Sequence, residues 1–203
     1  MPTTTFLNLN KEKRDRIVNA AIKEFGCRSL REANLANIIK DAKIPRGSLY
    51  QYFVSKDDLY IHIFEALRAE RADYVKPAFQ LYKKEPFLRF YEEFYLRDSE
   101  FLIMHPAHIE LGKNLYSGND NTSLGLIRQI QDRYKEWFVS AIEFDKERGV
   151  IKAAVHSSAL ADLCVHFVTD VFIFQSVMSQ FTIGNIREHC KRMLYIIQNG
   201  IKV

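Results

Sequence analysis

The chain has 203 residues, of which 47% are hydrophobic and 27% charged, and this composition indicates a globular protein with ample material for a core. No run approaches the roughly 18 to 20 apolar residues of a membrane span, and the first residues lack the apolar segment of a signal peptide. Cys27, Cys164 and Cys190 are far apart and odd in number, which favours reduced thiols in a cytoplasmic protein over a disulfide framework or a zinc site.

The net charge of +4 is unevenly distributed along the chain. Residues 1–56 hold eleven Lys and Arg against five Asp and Glu, a net charge of +6, whereas residues 57–203 carry a net charge of −2. A basic end on a nearly neutral remainder indicates a polyanionic partner, most simply nucleic acid. A solvated charged surface explains the same distribution equally well.

Helical periodicity dominates and strand alternation is scarce, so we expect an all-α protein. Capping residues predict where several helices start. Asn10 and Asn34 suit helix N-termini, and Ser55 with Asp58 has the form of a capping box. In chain order, the predicted helices cover residues 11–25, 35–42, 46–52, 56 to about Pro77, a segment opened by Pro86, a long helix after the loop 117–121 that stops at Gly149, one from Ser157 or Ser158 to near Gly184, and a last one capped by Asn185 and ended by Gly200.

The short segment after the break "KIP" has an unusual helical wheel. Leu49 and Phe53 fall on an inner face, and the opposite side is a polar ridge. At its centre lie Gly47, Ser48 and Gln51, flanked by Arg46 and Tyr50 on one side and by Tyr52 on the other. Such a ridge suits a helix in a DNA major groove, because glycine permits close approach, glutamine pairs bidentately with adenine and arginine reaches guanine or phosphate. An amphipathic surface helix with incidental tyrosines is the alternative.

With the preceding helix, this segment forms a helix-turn-helix pattern. The stretches "RIVNAAIKEF" (16–25) and "NLANIIKDAKIPRGSLYQYFVSKDDL" (34–59) resemble the tetracycline-repressor-like (TetR) transcriptional regulators. The resemblance covers about the first 60 residues. It implies a homodimeric, all-helical repressor with a DNA-binding domain over residues 1–55 and an effector-binding and dimerisation domain over residues 56–203.

The resemblance also assigns roles to individual residues. It places Arg46, Gly47, Ser48, Tyr50, Gln51 and Tyr52 towards DNA, and Asn34 and Lys56 against phosphates. The family usually has Gly where this chain has Lys43, and Ser or Thr where it has Pro45. We therefore expect Lys43 in a left-handed conformation and no hydroxyl cap from residue 45.

The remainder of the chain holds most of the aromatic residues. They are either core or the lining of an apolar effector pocket between helices. The predicted pocket residues are Phe94, Phe101, Met104, Tyr116, Phe138, His166 and Phe167, with Phe90, Trp137, Phe172 and Phe174 as further aromatic candidates. His166 is interpreted as a hydrogen-bonded core histidine, with a pocket-facing polar group as the alternative.

Two other patterns concern partners. His105 and His108 are three residues apart, and this spacing suggests a metal site as an alternative. Ordinary, partly exposed histidines are the simpler interpretation. We predict neither a metal nor a cofactor. Apolar stripes on the last two helices predict either closure of the core or a four-helix homodimer interface. These stripes are Leu160, Leu163, Phe167, Val171 and Phe174 on one helix, and Ile186, Cys190, Met193, Leu194, Ile197 and Ile201 on the other.

The sequence is therefore interpreted as a DNA-binding regulator, and we expect a repressor released from a palindromic operator by a small apolar effector. The alternatives are a helical-bundle enzyme or metal-binding protein, and a helical adaptor whose basic end docks on an acidic surface. The chain shows no phosphate loop and no GxSxG or HExxH motif, so we expect no enzyme activity.

Overall fold

The computed structural model describes residues 2–177 and 182–200, with the backbone alone for residues 170–177. Every regular element in these ranges is a helix, which confirms the all-α prediction. In chain order the helices are α1 (Thr4–Leu7), α2 (Lys11–Cys27), α3 (Leu35–Asp41), α4 (Ser48–Tyr52), α5 (Lys56–Val75), a 3₁₀ helix (Ala78–Gln80), α6 (Phe87–Met104), α7 (Pro106–Ser117), α8 (Asn121–Glu147), α9 (Ser157–Val177) and α10 (Ile183–Asn199).

Most helix starts lie where local capping predicted them. Asn10 and Asn34 each accept a hydrogen bond from a backbone N–H in the first turn of their helix. The Ser55 hydroxyl accepts from the backbone N–H of Asp58 at 3.1 Å and so opens α5. Gly149 follows α8 with φ of +72°, the left-handed conformation that ends helices.

Several boundaries differ from the prediction. The helix Thr4–Leu7 was not predicted, because four residues carry too little periodicity to be recognised. Gly184, near which α9 was expected to end, lies instead inside α10, and the described part of α9 runs to Val177. The cap of α10 is Thr182, whose hydroxyl accepts from the backbone N–H of Asn185 at 3.3 Å, so the predicted cap at Asn185 was one turn too late.

By its internal packing the chain forms two compact units. The first comprises the residues up to Glu70 together with Pro106–Arg128, and the second comprises Arg71–His105 together with the residues from Gln129 onward. Helices α5 and α8 contribute residues to both units. The division by packing therefore does not follow the order of the chain.

In the first unit, α7 packs along α2, and α3 packs against α2. Ile17, Phe25 and Ile38 are fully buried between these helices. The amide Nδ2 of Asn114, on α7, donates to the backbone carbonyls of Phe25 and Gly26 at 2.9 and 2.8 Å. These carbonyls belong to the last turn of α2, where backbone acceptors lack partners within the helix.

In the second unit, α6 is the central helix and α10 packs along it. The buried residues of α10 are Ile186, Cys190, Met193 and Leu194, all from the predicted stripe. On α9 the buried residues are instead Ala161, Cys164, Val165 and Val168, while Leu160, Leu163 and Phe167 of the predicted stripe are partly or largely exposed. The side chains of Val171, Phe172, Phe174 and Ile201 lie outside the described residues.

None of the helices in the described ranges has the length and apolar character that a bilayer crossing requires. The three cysteines are free thiols, with Cys27 exposed and the other two buried. Burial raises the pKa of Cys164 and of Cys190 to about 12, so both thiols stay protonated at neutral pH.

Candidate nucleic-acid interface

The turn between α3 and α4 has the geometry that the resemblance implied. Lys43 has φ of +53°, which confirms its left-handed conformation at the position where the family usually has glycine. Ile44 is buried and anchors the turn. No side chain caps the N-terminus of α4, and this agrees with the expectation that Pro45 offers no hydroxyl. The helix begins at Ser48, two residues later than predicted.

The outer surface of α4 carries most of the predicted ridge. Leu49 is buried on the inner face, and Phe53 is buried immediately after the helix, as predicted. Tyr50 is 62% exposed, Gln51 and Arg46 are exposed and Ser48 is half-buried. Within the described part of the chain Arg46 makes no ion pair, so its guanidinium is available to a partner.

Gly47 is exposed, and a Cβ built on it would meet no atom of the chain within 4 Å. Its φ of −74° is accessible to any residue. Neither internal packing nor backbone conformation therefore requires glycine at this position. A closely approaching partner does supply a reason, and DNA in contact with the backbone of α4 is such a partner.

The position of Tyr52 differs from the prediction. It is only 3% exposed, so its ring does not form the second edge of the ridge. The ring packs against Phe6 of α1, with centroids 6.0 Å apart, and Lys13 Nζ lies 5.7 Å from its centroid. The prediction failed because α1, which covers this ring, was not recognised in the sequence.

Asn34 and Lys56, the predicted phosphate contacts, have roles within the fold. The side chain of Asn34 caps α3. Lys56 Nζ donates to the backbone carbonyls of Arg31 and Ala33 at 2.9 and 3.0 Å, and it thereby fixes the loop before α3. Their contacts with phosphates stay predictions.

Sequence reasoning missed Glu24, a buried carboxylate that organises the start of α3. It accepts the backbone N–H of Asn34 at 2.8 Å and the amide Nδ2 of Asn37 at 3.1 Å. Arg28 Nη1 donates to the same carboxylate at 3.0 Å. The signal was present in the sequence, because Glu24 follows Ala21 by three residues and places a charge on the buried face of α2.

The predicted pocket residues separate into buried and exposed groups. Phe94, Phe101 and Phe138 are buried in the second unit, and Phe167 is half-buried there. Their part in a pocket stays a prediction. Met104 is 52% exposed, so it is not an interior lining residue.

Of the two remaining pocket candidates, only His166 is placed differently from its interpretation. His166 is exposed and its Nδ1 lies 2.7 Å from the carbonyl oxygen of Asp162 one turn earlier, so it is not a core histidine. Tyr116 is half-buried on α7, in the first unit, and its part in a pocket stays a prediction. The interpretation of His166 as a core histidine failed because periodicity does not distinguish the outward face of a largely apolar helix.

The interior of the second unit contains an ion pair that the sequence did not indicate. The guanidinium of Arg71 on α5 donates two hydrogen bonds to the buried carboxylate of Asp98 on α6. Burial raises the pKa of nearby Tyr134 to about 12. These groups make the interior polar at one position among aromatic rings.

The two histidines whose spacing suggested a metal site lie at a helix junction. His105 follows the end of α6, and His108 lies within α7. Across the described ranges, no cluster of three or more His, Cys, Asp or Glu side chains has the arrangement of a metal site.

Comparison with known proteins supports the interpretation of the chain as a DNA-binding regulator. Residues 17–63 match the family model described as bacterial regulatory proteins, tetR family. This match includes α3, α4 and the turn between them. No curated protein matches the chain closely enough to count as a relative.

Solved structures show the fold of the whole chain. A TetR family transcriptional regulator from Chloroflexus aurantiacus has a TM-score of 0.68 at 17% identity, over 98% of this chain and 91% of that one. A TetR-like transcriptional regulator from Rhodococcus sp. RHA1 has a TM-score of 0.70 at 17% identity, over 93% and 97%. The transcriptional regulator FadR from Bacillus subtilis, in complex with stearoyl-CoA, has a TM-score of 0.75 at 14% identity, over 93% and 99%.

The matched family consists of regulatory proteins, which favours the regulator over the enzyme alternative. The matched residues include the exposed ridge of α4, and the fold extends over the remainder of the chain. Residues 17–63 therefore match the tetR family of bacterial regulatory proteins, and the compared structures share the fold of the chain.

Proposed function

We propose that the chain is a cytoplasmic repressor whose α4 reads the DNA major groove. In this proposal Gln51 and Arg46 contact bases, Tyr50 and Ser48 contact phosphates or bases, and Gly47 lets the backbone approach. The observation that carries the proposal is the glycine at position 47, at the centre of an exposed polar ridge. Neither packing within the chain nor backbone conformation requires a glycine there. The net charge of +6 over residues 1–56 supports attraction to DNA.

The proposed working unit is a homodimer formed through α9 and α10. Although α10 packs on α6, Tyr195 stays 67% exposed and Ile196 and Leu163 are also exposed. Exposed apolar groups of this kind on terminal helices favour an interface with a second copy. Two copies of α4 about 34–36 Å apart would then read successive major grooves of a palindromic operator.

The proposed effector is a small apolar molecule bound by residues 56–203, while residues 1–55 bind DNA. The aromatic interior of the second unit supports an apolar ligand. The structure of B. subtilis FadR with stearoyl-CoA suggests long-chain acyl groups as the first class to test. Release would follow from a population shift towards a subunit arrangement in which the two copies of α4 no longer match adjacent grooves.

The proposal is tested with a duplex that the protein selects from a randomised pool. Fluorescence anisotropy compares this duplex with a scrambled one over a salt series. Tight, selective binding that weakens when stearoyl-CoA saturates the protein supports repression by an apolar effector. Equal and steeply salt-dependent binding to both duplexes would mean phosphate contact without reading, and would contradict the proposal.

Gly47→Ala tests whether DNA approaches the backbone closely at this position, and Gly125→Ala is the matched control. Each glycine would accept a Cβ with nothing of the chain within 4 Å, so neither variant should lose stability, and Gly125→Ala, inside α8, should gain up to about 1 kcal/mol in the free energy of unfolding. Only Gly47→Ala should lower affinity for the selected duplex. Wild-type affinity in Gly47→Ala would remove the argument for close backbone approach.

A further inference from the structure

Helix α4 has little stability of its own. It has five residues and no side-chain cap at its N-terminus, and isolated helices of this length do not persist in water. The carbonyl of Leu49 accepts the backbone N–H of Phe53, and the carbonyls after it lie beyond the hydrogen-bond pattern of the helix and need donors from elsewhere. The orientation of Tyr50 and Gln51 therefore depends on what holds the carboxyl end of α4.

Thr3 supplies those donors from outside the helix. Its hydroxyl Oγ1 donates to the backbone carbonyl of Gln51 at 2.7 Å. Its backbone N–H donates to the carbonyl of Tyr52 at 2.9 Å. One residue near the start of the chain thus satisfies two consecutive carbonyls at the end of α4, one of them belonging to the predicted base-reading glutamine.

Phe6 adds an apolar contact to the same end. It is 2% exposed, and its ring centroid lies 4.7 Å from that of Phe53 and 5.2 Å from that of His62. The other end of the segment is fixed as well, because Arg14 Nη1 donates to the carbonyl of Leu7 at 3.1 Å. Residues 3–7 are thus attached at both ends and in the middle.

We propose that residues 3–7 form an amino-terminal clamp that positions α4 for base reading. The inference deepens the proposed function and depends on it. Bidentate hydrogen bonds to a base edge require a fixed side-chain direction, whereas phosphate contacts tolerate displacement. The clamp consequently acts on sequence preference more than on general affinity for DNA. Thr3 and Phe6 are positioning residues, since they act through Gln51 and Tyr52 and do not touch bases.

Two variants of Thr3 separate the hydroxyl from the rest of the side chain. Thr3→Val removes the hydroxyl donor at nearly constant shape, and Thr3→Ser retains it. Leu7→Ala is the matched control, since Leu7 lies in the same segment but is exposed. Amide hydrogen exchange of residues 48–53 in the full chain reports the clamp without DNA. Anisotropy with the selected and scrambled duplexes reports its consequence.

Thr3→Val is expected to accelerate exchange in residues 48–53 and to lower the ratio of selected to scrambled affinity by about two- to tenfold, the effect of one lost hydrogen bond. The salt dependence should stay at its wild-type slope, because the phosphate contacts are unchanged. Thr3→Ser and Leu7→Ala should match wild type in both measurements. Phe6→Leu, which keeps apolar bulk but loses the ring, should reproduce the direction of Thr3→Val.

The outcomes distinguish the clamp from the proposed function. If wild type prefers the selected duplex and Thr3→Val keeps that preference, the clamp inference is wrong and base reading stands. Unchanged exchange in Thr3→Val would overturn the clamp in the same way. If wild type binds both duplexes equally, base reading fails, and positioning for it fails with it. An equal fall in affinity for both duplexes would indicate a general structural defect and would also contradict the inference.

Discussion

Both compact units contain polar and aromatic contacts, but the arrangement of these contacts differs. In the first, single polar groups join segments distant in sequence: Glu24 holds the start of α3, Lys56 the loop before it and Asn114 the end of α2. In the second, aromatic rings on α6 and α8 contact one another around Phe138. Directional bonds place short helices accurately, and ring packing supplies bulk stability without fixing one orientation so strictly.

The difference agrees with the proposed division of work. A helix that reads bases needs a fixed direction, and α3 and α4, with seven and five residues, cannot supply it alone. A unit that accommodates an apolar ligand needs an apolar interior instead. We therefore expect polar substitutions to affect the first unit most, and large-to-small substitutions to affect the second.

The largest effect is expected for Phe138→Ala. Phe138 is fully buried, and its ring contacts those of Phe87, Tyr91 and Phe94. Removing it creates a cavity and should lower the free energy of unfolding by about 3–5 kcal/mol, measured by urea denaturation. Met104→Ala, at an exposed position on α6, is the control and should change it little. A loss below that of an ordinary surface change would contradict the role of ring packing.

Glu24→Gln should have the next largest effect, in the first unit. The neutral side chain keeps its volume but loses the charged acceptor for Arg28 and Asn37, which should cost about 1–3 kcal/mol. The matched control is Glu32→Gln, because Glu32 is exposed and, among the described residues, accepts hydrogen bonds from Ser29. Equal stabilities of the two variants would show that the buried carboxylate does not organise α3.

Tyr91→Phe should have a smaller effect, and it tests a single hydrogen bond in the second unit. The Tyr91 hydroxyl donates to the carbonyl of Cys164 at 3.0 Å, but the ring contacts remain in the variant. The expected loss is about 0.5–1.5 kcal/mol, below that of Glu24→Gln. Tyr195→Phe, at an exposed site, is the control. A loss larger than that of Phe138→Ala would reverse the proposed order of polar and ring contributions.

The smallest expected effect is the contribution of His62 to the pH dependence of stability. Burial beside Phe6 and Phe53 lowers the pKa of His62 from its ordinary value of 6.5, and Glu65 opposes the shift only in part. Below pH 6.5 the unfolded chain therefore binds a proton more readily than the folded chain, so stability falls as the pH is lowered from 7 towards the folded pKa.

His62→Phe keeps an aromatic ring at this site and removes the titration. Urea denaturation at pH 7 and at pH 5.5 should show a smaller loss on acidification in the variant than in wild type. Carboxylates elsewhere contribute equally to both proteins and cancel in this difference. An identical loss in both proteins would exclude His62 as a source of the pH dependence.

The sequence predicted those features that depend on local signals. Asn10, Asn34 and Ser55 cap the helices they were expected to cap, and Lys43 takes the expected left-handed conformation. The inward placement of Leu49 was equally local, because it follows from helical spacing.

The features that escaped prediction depend on contacts between distant segments. The burial of Tyr52 requires α1, whose four residues give no periodic signal. The contact of Lys56 with carbonyls more than twenty residues earlier has no counterpart in its neighbours along the chain. Met104 and His166 were expected inside because apolar composition does not show which face of a helix a neighbour covers.

Base reading by α4 is the central claim, and the most direct test is the affinity of Gln51→Ala for the selected duplex. The control is Gln129→Ala, which removes an exposed glutamine from α8. We expect Gln51→Ala to lose about 1–3 kcal/mol of discrimination between the selected and scrambled duplexes, while Gln129→Ala retains all of it. Equal discrimination by the two variants would contradict base reading by the exposed ridge of α4.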